Sequence, residues 1–191
     1  MGTLDAIELY TPRLLLRPLG EVDAAALLEI HAELRVMQFS NGAPWTSLKQ
    51  ADELIEASRG WLSLGTAVCL GIVPKDATGL IGTCTLFDIS RSSHRAEVGF
   101  LLGLSAWGRG YMTEALAALL NYAFGELDLN RIEADTDPRN LAAIRTLEKL
   151  GFMREGLLRE RWITDGQKSD SALYGLLRSD WDSRGQVSGR R

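Results

Sequence analysis

The run Ala96-Glu97-Val98-Gly99-Phe100-Leu101-Leu102 has the alternation of a strand, and a helical pattern opens downstream at Tyr111. Between them lies Trp107-Gly108-Arg109-Gly110-Tyr111-Met112-Thr113, with Gly108 and Gly110 where the helix begins. Glycine lets a backbone come close to a ligand. The first-turn N–H groups of a helix lack intrahelical acceptors, and the helix dipole favours an anion there. With Arg109 beside it, this turn suits a pyrophosphate. It is not a P-loop, because GxxxxGK[ST] is absent. Nor is it GxGxxG, because Thr113 stands where the third glycine belongs. Taken alone, it also reads as a plain glycine-rich connection. Strand alternation puts Glu97 and Gly99 on one face and Val98 and Phe100 on the other.

Composition removes several classes of function. Of 191 residues, 25 are acidic and 21 basic, a net charge of −4, which argues against a dedicated nucleic-acid binder. The 46% hydrophobic and 24% charged content fits one soluble globular domain and excludes disorder as the main state. Cys69 and Cys84 sit in apolar runs as small buried hydrophobes. With only His31 and His94 besides, neither a disulfide framework nor a zinc-type ligand set is expected, and a reducing cytoplasm is the default. The start, Met1-Gly2-Thr3-Leu4-Asp5, has no basic n-region or apolar h-region, and no stretch is long enough to span a membrane.

The elements that must position these residues follow from periodicity. A short strand is expected over 13–18 and a helix from Asp23 to Arg35. The loop Asn41-Gly42-Ala43-Pro44 leads to a second helix over Ser47–Trp61. Ala67–Val73 and Leu80–Ile89 form a hairpin, and Ala96–Leu102 is a third strand. A helix over Tyr111–Phe124 follows, then a strand over Arg131–Ala134. Asp137-Pro138 predicts an N-cap and N1 for the next helix, and Gly151 its C-terminal stop. Phe152–Ile163 and Ser169–Leu177 pair around Thr164-Asp165-Gly166. Residues 183–191 are polar and read as a flexible tail. The order is mixed α/β, mostly antiparallel, with one parallel join.

The strand, the glycine loop and Asn140-Leu141-Ala142-Ala143-Ile144-Arg145-Thr146-Leu147-Glu148-Lys149-Leu150-Gly151-Phe152 occur in an order that resembles the GNAT acetyltransferases. Thr11-Pro12-Arg13-Leu14-Leu15-Leu16-Arg17-Pro18-Leu19 and Glu155-Gly156-Leu157-Leu158-Arg159-Glu160 resemble its RimJ/RimL-type branch, whose best-known members acetylate N-termini of ribosomal proteins. The resemblance covers residues 11–182, taken as the acetyltransferase domain. It implies a twisted, mostly antiparallel sheet with a parallel join at the cofactor site and helices on both faces. It implies acetyl-CoA as cofactor, coenzyme A as product, no metal, and an amine acceptor, with no nucleic acid or membrane partner. Such folds also accommodate a homodimer.

By the same resemblance, the Q/R-x-x-G-x-G/A loop maps onto Trp107, Gly108, Arg109, Gly110, Tyr111 and Met112. N–H groups from Arg109 to Thr113 would hold the pyrophosphate, Leu101 and Leu102 would pair with the pantetheine amides, and Asn140 would contact the pantetheine end. Trp107 replaces Gln or Arg, and Met112 replaces a small residue. Acetyl transfer requires the amine to lose a proton and the developing oxyanion to find donors. Glu97 is the candidate base, the alternative being a salt-bridged surface glutamate beside Arg95 or Arg131. N–H groups near Leu101 or Leu102 would polarise the thioester carbonyl. The usual acids, a Tyr seven positions after the Asn or a Ser three after it, are Leu147 and Ala143 here, and neither donates a proton. Tyr122 and Tyr174 are other donors, or packing residues. His31, Phe39 and Trp45 are candidates for the acceptor site, with His94 and Trp162 as further ones; each also reads as an ordinary packed side chain. The acceptor is a protein N-terminus or a small amine such as an amino acid, polyamine or aminoglycoside. A low-activity acyl-CoA sensor is the non-enzymatic alternative.

Overall fold

The computed structural model describes residues 7–40, 42–164 and 166–188, with side chains through Arg184. Residues 1–6 (the Met1–Asp5 start among them), Asn41, Asp165 and residues 189–191 lie outside the described residues.

The chain begins with β1 (Leu9–Tyr10) and β2 (Leu14–Pro18), then a 3-10 turn, α1 (Ala24–Ala32) and α2 (Leu34–Met37). The expected single helix from Asp23 to Arg35 is thus two. Asp23 does not cap; it is buried and takes two hydrogen bonds from Arg17, at 2.7 and 2.8 Å, and one from Gly20 N–H. Glu33 turns extended and its carboxylate caps α2 by accepting from Arg35 N–H, which ends α1. Helix α3 (Leu48–Leu64) stops at Gly65 with φ +67°.

Strands β3 (Val68–Pro74), β4 (Gly82–Ser90) and β5 (Arg95–Leu102) form an antiparallel meander. Helix α4 (Tyr111–Gly125), β6 (Arg131–Thr136), α5 (Leu141–Leu150), β7 (Met153–Thr164), β8 (Gln167–Leu177) and α6 (Arg178–Ser188) complete the chain. Helix α6 runs through residues 183–188, which composition alone reads as tail. Its Trp181 packs near Phe124 of α4, and its Arg184 donates to Lys149 O beside the Gly151 stop.

The eight strands form one sheet in the order β1-β2-β3-β4-β5-β6-β8-β7. The parallel join expected at the cofactor site is the β5–β6 pair, in register at Arg95↔Arg131, Ala96↔Ile132 and Glu97↔Glu133. Alternation sorts the residues by face. Val68, Leu70, Leu86, Ala96, Val98, Ile132, Ala134 and Leu176 join α4 and α5 in the main core. The other face is covered over β2–β5 by α1–α3, around Leu27, Ile30, Ile55 and Cys69. Under β6, β8 and β7 that second face is polar: Arg131 bridges Glu133 and Glu155, and Arg95 pairs with Glu133.

Candidate active site

Pairing between β5 and β6 ends at Glu97 and Glu133. Beyond that point β5 stays with β4, β6 stays with β8, and the sheet splays. The splay is one wall of a cavity of about 660 Å³. Glu97 to Leu101 line it from β5, Ala134 to Asp137 from β6, Asn140, Ala143 and Leu147 from α5, and Arg161 and Trp162 from β7; Met37, Phe39 and Pro44 close it from the α2 side. Sequence reasoning placed Glu97, Asn140, Phe39, Ala143 and Leu147 in one functional region, and the fold brings them to this one cavity.

Gly103 N–H donates to Ile81 O on the β4 side. By strand alternation the backbone groups of Leu101 also face β4, and those of Val98, Phe100 and Leu102 face the splay. Of the expected pair, Leu102 therefore has the orientation to meet an added extended chain, and Phe100 joins it. The indole of Trp107 donates to Leu102 O at 2.7 Å, which anchors the glycine loop to the end of β5.

The loop itself has the geometry of an anion cradle. Gly108 and Gly110 have φ of +72° and +75°, a region that costs other residues strain. A Cβ at Gly108 would meet nothing within 4 Å, so the space over the loop is open. The N–H groups of Tyr111, Met112 and Thr113 open α4 without intrahelical acceptors. Met112, at the family's small-residue position, is buried in the main core and does not occupy this space. No pattern in the sequence assigns Arg13 to this loop. Here its guanidinium lies 4.6 Å from the Tyr111 ring centroid, donates to Arg109 O at 3.0 Å, and pairs with Glu114. These features fit a pyrophosphate-bearing cofactor.

Glu97 is half-buried, and its carboxyl is pushed up from the ordinary range. Burial is the leading cause, followed by the negative fields of Asp135, Asp88 and Glu133, with Arg161 opposing. Among the described residues Glu97 forms no ion pair; Arg95 and Arg131 are both engaged by Glu133. Asp88 reaches the cavity because β4 bulges between Phe87 and Ser90, with Asp88 at φ +49°. Asp135 pairs with Arg161 at 3.1 Å and accepts from the Ser171 hydroxyl. Beyond that ion pair with Arg161, Asp135 Oδ2 has no hydrogen-bonded partner among the described residues. The buried indole N–H of Trp162, on the same wall, also has none among them.

Helix α5 begins at Leu141 and is capped by Asn140, whose Oδ1 accepts from Ala143 N–H at 3.1 Å. The expected cap, Asp137, is instead held by Arg139 through its backbone N–H and guanidinium. Asn140 thus lines the cavity and fixes the helix with its oxygen. His31 and Trp45 stack on each other, centroids 3.8 Å apart, and His31 lines a second cavity rather than the first. His94 lies away from both, its Nδ1 2.8 Å from Asp128 O at the far end of β5. Tyr174 is buried in the core and Tyr122 packs against that core; neither lines the first or the second cavity.

The family model described as Acetyltransferase (GNAT) domain matches residues 13–153. The chain belongs to the GNAT acetyltransferase family. It is similar to the N-acetyltransferase p20 of Bacillus licheniformis, 36% identical over 91% of this chain and 97% of that one. The [ribosomal protein uS5]-alanine N-acetyltransferase of Escherichia coli is 30% identical over 92% of this chain and 93% of its own. In fold it matches Mycobacterium smegmatis RimJ in complex with CoA-disulfide, with a TM-score of 0.83, 24% identity, and 97% and 94% coverage. The RimJ/RimL-type branch is where these similarities fall, and this GNAT acetyltransferase has the mixed sheet with a single parallel pair expected of it. Among the described residues no helix is long and apolar enough to cross a membrane.

Proposed function

We propose that this acetyltransferase transfers the acetyl group of acetyl-CoA to the α-amine of a peptide or protein N-terminus by direct attack. The observation that carries the reading is Glu97: a half-buried carboxylate at the mouth of the splay, pushed up by burial and by Asp135 and Asp88, with no ion pair among the described residues. A base so tuned accepts a proton nearer neutrality. The ammonium gives one proton to Glu97, the lone pair so freed forms the C–N bond, the C–S bond breaks, and the extra proton left on nitrogen passes to the departing thiolate. Bound acetyl-CoA supplies the activated thioester and leaves as coenzyme A.

Arg109, Gly110, Tyr111, Met112 and Thr113 are the residues assigned to the pyrophosphate. Phe100 and Leu102 are assigned to the pantetheine amides, and Asn140 to their distal end. The N–H groups of the splay-facing β5 residues are assigned to the thioester oxygen. Trp162 N–H and Asp135 Oδ2 favour a peptide over a simple amine, since one can donate to a peptide carbonyl and the other accept from an N–H or ammonium. Residues 11–182 are taken as the catalytic unit. A cytoplasmic setting fits the two buried free cysteines.

Ala143 and Leu147, both buried on the inner face of α5, offer no acid, and this favours a second reading as an acyl-CoA sensor. Coenzyme A release against peptides beginning with Ala, Ser or Met, amino acids, polyamines and aminoglycosides separates the readings. Turnover with one peptide class supports N-terminal acetylation. Turnover only with small amines replaces the acceptor. Tight acetyl-CoA binding with no turnover supports the sensor.

A further inference from the structure

A second cavity of about 590 Å³ lies between the sheet and helices α1 and α3. It shares Ser40, Phe87, Asp88, Gly99, Phe100 and Leu101 with the first cavity, so the two meet beside Glu97. Its own walls are Leu54 and Trp61 of α3, Thr66 and Ala67 ahead of β3, and Cys69, Thr83 and Thr85 of the sheet; apolar surface predominates, with threonine hydroxyls among it. No lysine or arginine lines it, and its one carboxylate, Asp88, stands at the shared bulge. His31 closes the floor, stacked on Trp45, with both ring nitrogens buried and without a hydrogen-bond partner among the described residues.

We infer that this cavity receives the side chain of the acceptor's first residue and selects an apolar, uncharged one. The inference rests on the reading that the acceptor is a peptide α-amine. With the amine at Glu97, the first Cα lies next to the junction at Gly99, and its side chain has two directions. Towards the first cavity it meets Asp135, Arg161 and Trp162, a polar wall suited to the peptide unit. Towards the second it meets Phe87, Leu101 and Leu54, a wall that lowers its energy only if the side chain is apolar. A cationic side chain there would lose its hydration, with only Asp88 to compensate. The junction stays open because residue 99 is glycine: a Cβ there would stand 3.2 Å from Phe87 Cε1.

The test compares kcat/KM for four peptides identical except for a first residue of Gly, Leu, Phe or Lys. Thr85→Phe fills the cavity. Trp61→Ala enlarges it, at a residue 37% exposed. The wild type is expected to favour Leu over Gly by about tenfold or more, the scale of a few buried methylenes. Thr85→Phe should lower the Leu peptide more than the Gly peptide and bring their ratio towards one, and Trp61→Ala should move the preference towards Phe. A Leu-to-Gly ratio unchanged in both variants, or a preference for Lys, overturns the inference. Calorimetry of the CoA-loaded protein with acetyl-Leu and acetyl-Gly peptides reads the cavity without turnover. Tighter acetyl-Leu binding, erased by Thr85→Phe, upholds it even if no peptide is acetylated, in which case the peptide-acetyltransferase reading falls alone. Equal binding of the two, without turnover, overturns both.

Discussion

Arg13, at the entrance to β2, and Glu114, in the opening turns of α4, are joined side chain to side chain at 2.6 Å and backbone to side chain at 2.9 Å across 101 residues of sequence. Thr11 donates to the same carboxylate at 2.6 Å. The pair ties the first strands of the chain to the helix that begins at the glycine loop. Arg13 also donates to Arg109 O inside that loop. Glu114, only 17% exposed, is held below the ordinary carboxylate range by Thr11 and Arg13 against a burial penalty. Arg13→Ala is expected to loosen the loop without touching Glu97. The KM for acetyl-CoA should rise several-fold, and kcat should change less. Steady-state kinetics at saturating peptide checks the split, and a fall in kcat with unchanged KM would contradict the positioning role.

Glu97→Gln separates chemistry from stability. Loss of a general base costs about 10²–10⁴ in rate, while acetyl-CoA affinity by calorimetry should hold. The stability effect has the opposite sign. The folded-state pKa lies above the unfolded one, so the folded protein binds this proton more tightly. That contribution is complete below the ordinary glutamate range and is lost as pH rises through the raised value. Gln cannot ionise, so denaturant melts of the variant should match the wild type at acid pH and exceed it at pH 8. A full catalytic rate in this variant at neutral pH would remove Glu97 from the base role.

Gly108→Ala puts a methyl where nothing in the protein stands within 4 Å. Its cost in folding is the strain of φ +72°, about 1–2 kcal/mol. Its cost in cofactor binding should be larger than this strain alone implies, since the methyl enters the space over the free N–H groups. A small fall in Tm beside a tenfold or greater loss of acetyl-CoA affinity is expected. Gly82→Ala is the contrast. Its Cβ would collide with Leu101 O, which is backbone and cannot swing aside. Strand β5 must move, so the fall in Tm should be the larger of the two.

These residues also mark what the sequence made legible. Gly108, Gly110 and Gly151 were readable because a positive φ leaves few choices of residue, and all three adopt one. The meander and α4 were readable from period alone. The break between α1 and α2 was not, because the apolar spacing runs on past Glu33 while the backbone turns on one carboxylate and one N–H. Asp137-Pro138 has every local mark of a helix start, yet Arg139 takes the aspartate and Asn140 inherits the cap. Glu97 was legible as a strand carboxylate. The neighbours that tune it, Asp88 by a bulge and Asp135 across a parallel join, are set by tertiary contacts that no window of sequence contains. The grip of Arg13 on the loop was invisible for the same reason.

His31 gives the last expectation. Its ring lies flat against Trp45, with an interplanar angle of 10°, and burial pushes its pKa down from 6.5 to about 4. Protonation would put a charge between α1 and an indole with no carboxylate close enough to pair with it among the described residues. The folded pKa is below the unfolded one, so between the two values the unfolded chain binds more protons. Stability from this site is therefore full above pH 6.5 and drains away as pH falls towards 4. His31→Phe keeps an aromatic ring on Trp45 and removes the titration. Its melting temperature should equal the wild type's or exceed it slightly at pH 7.5, and the gap in its favour should widen steadily down to pH 4.5. Parallel melting curves for the two proteins over that range would mean that the imidazole is solvated in the folded state and does not seal the floor of the second cavity.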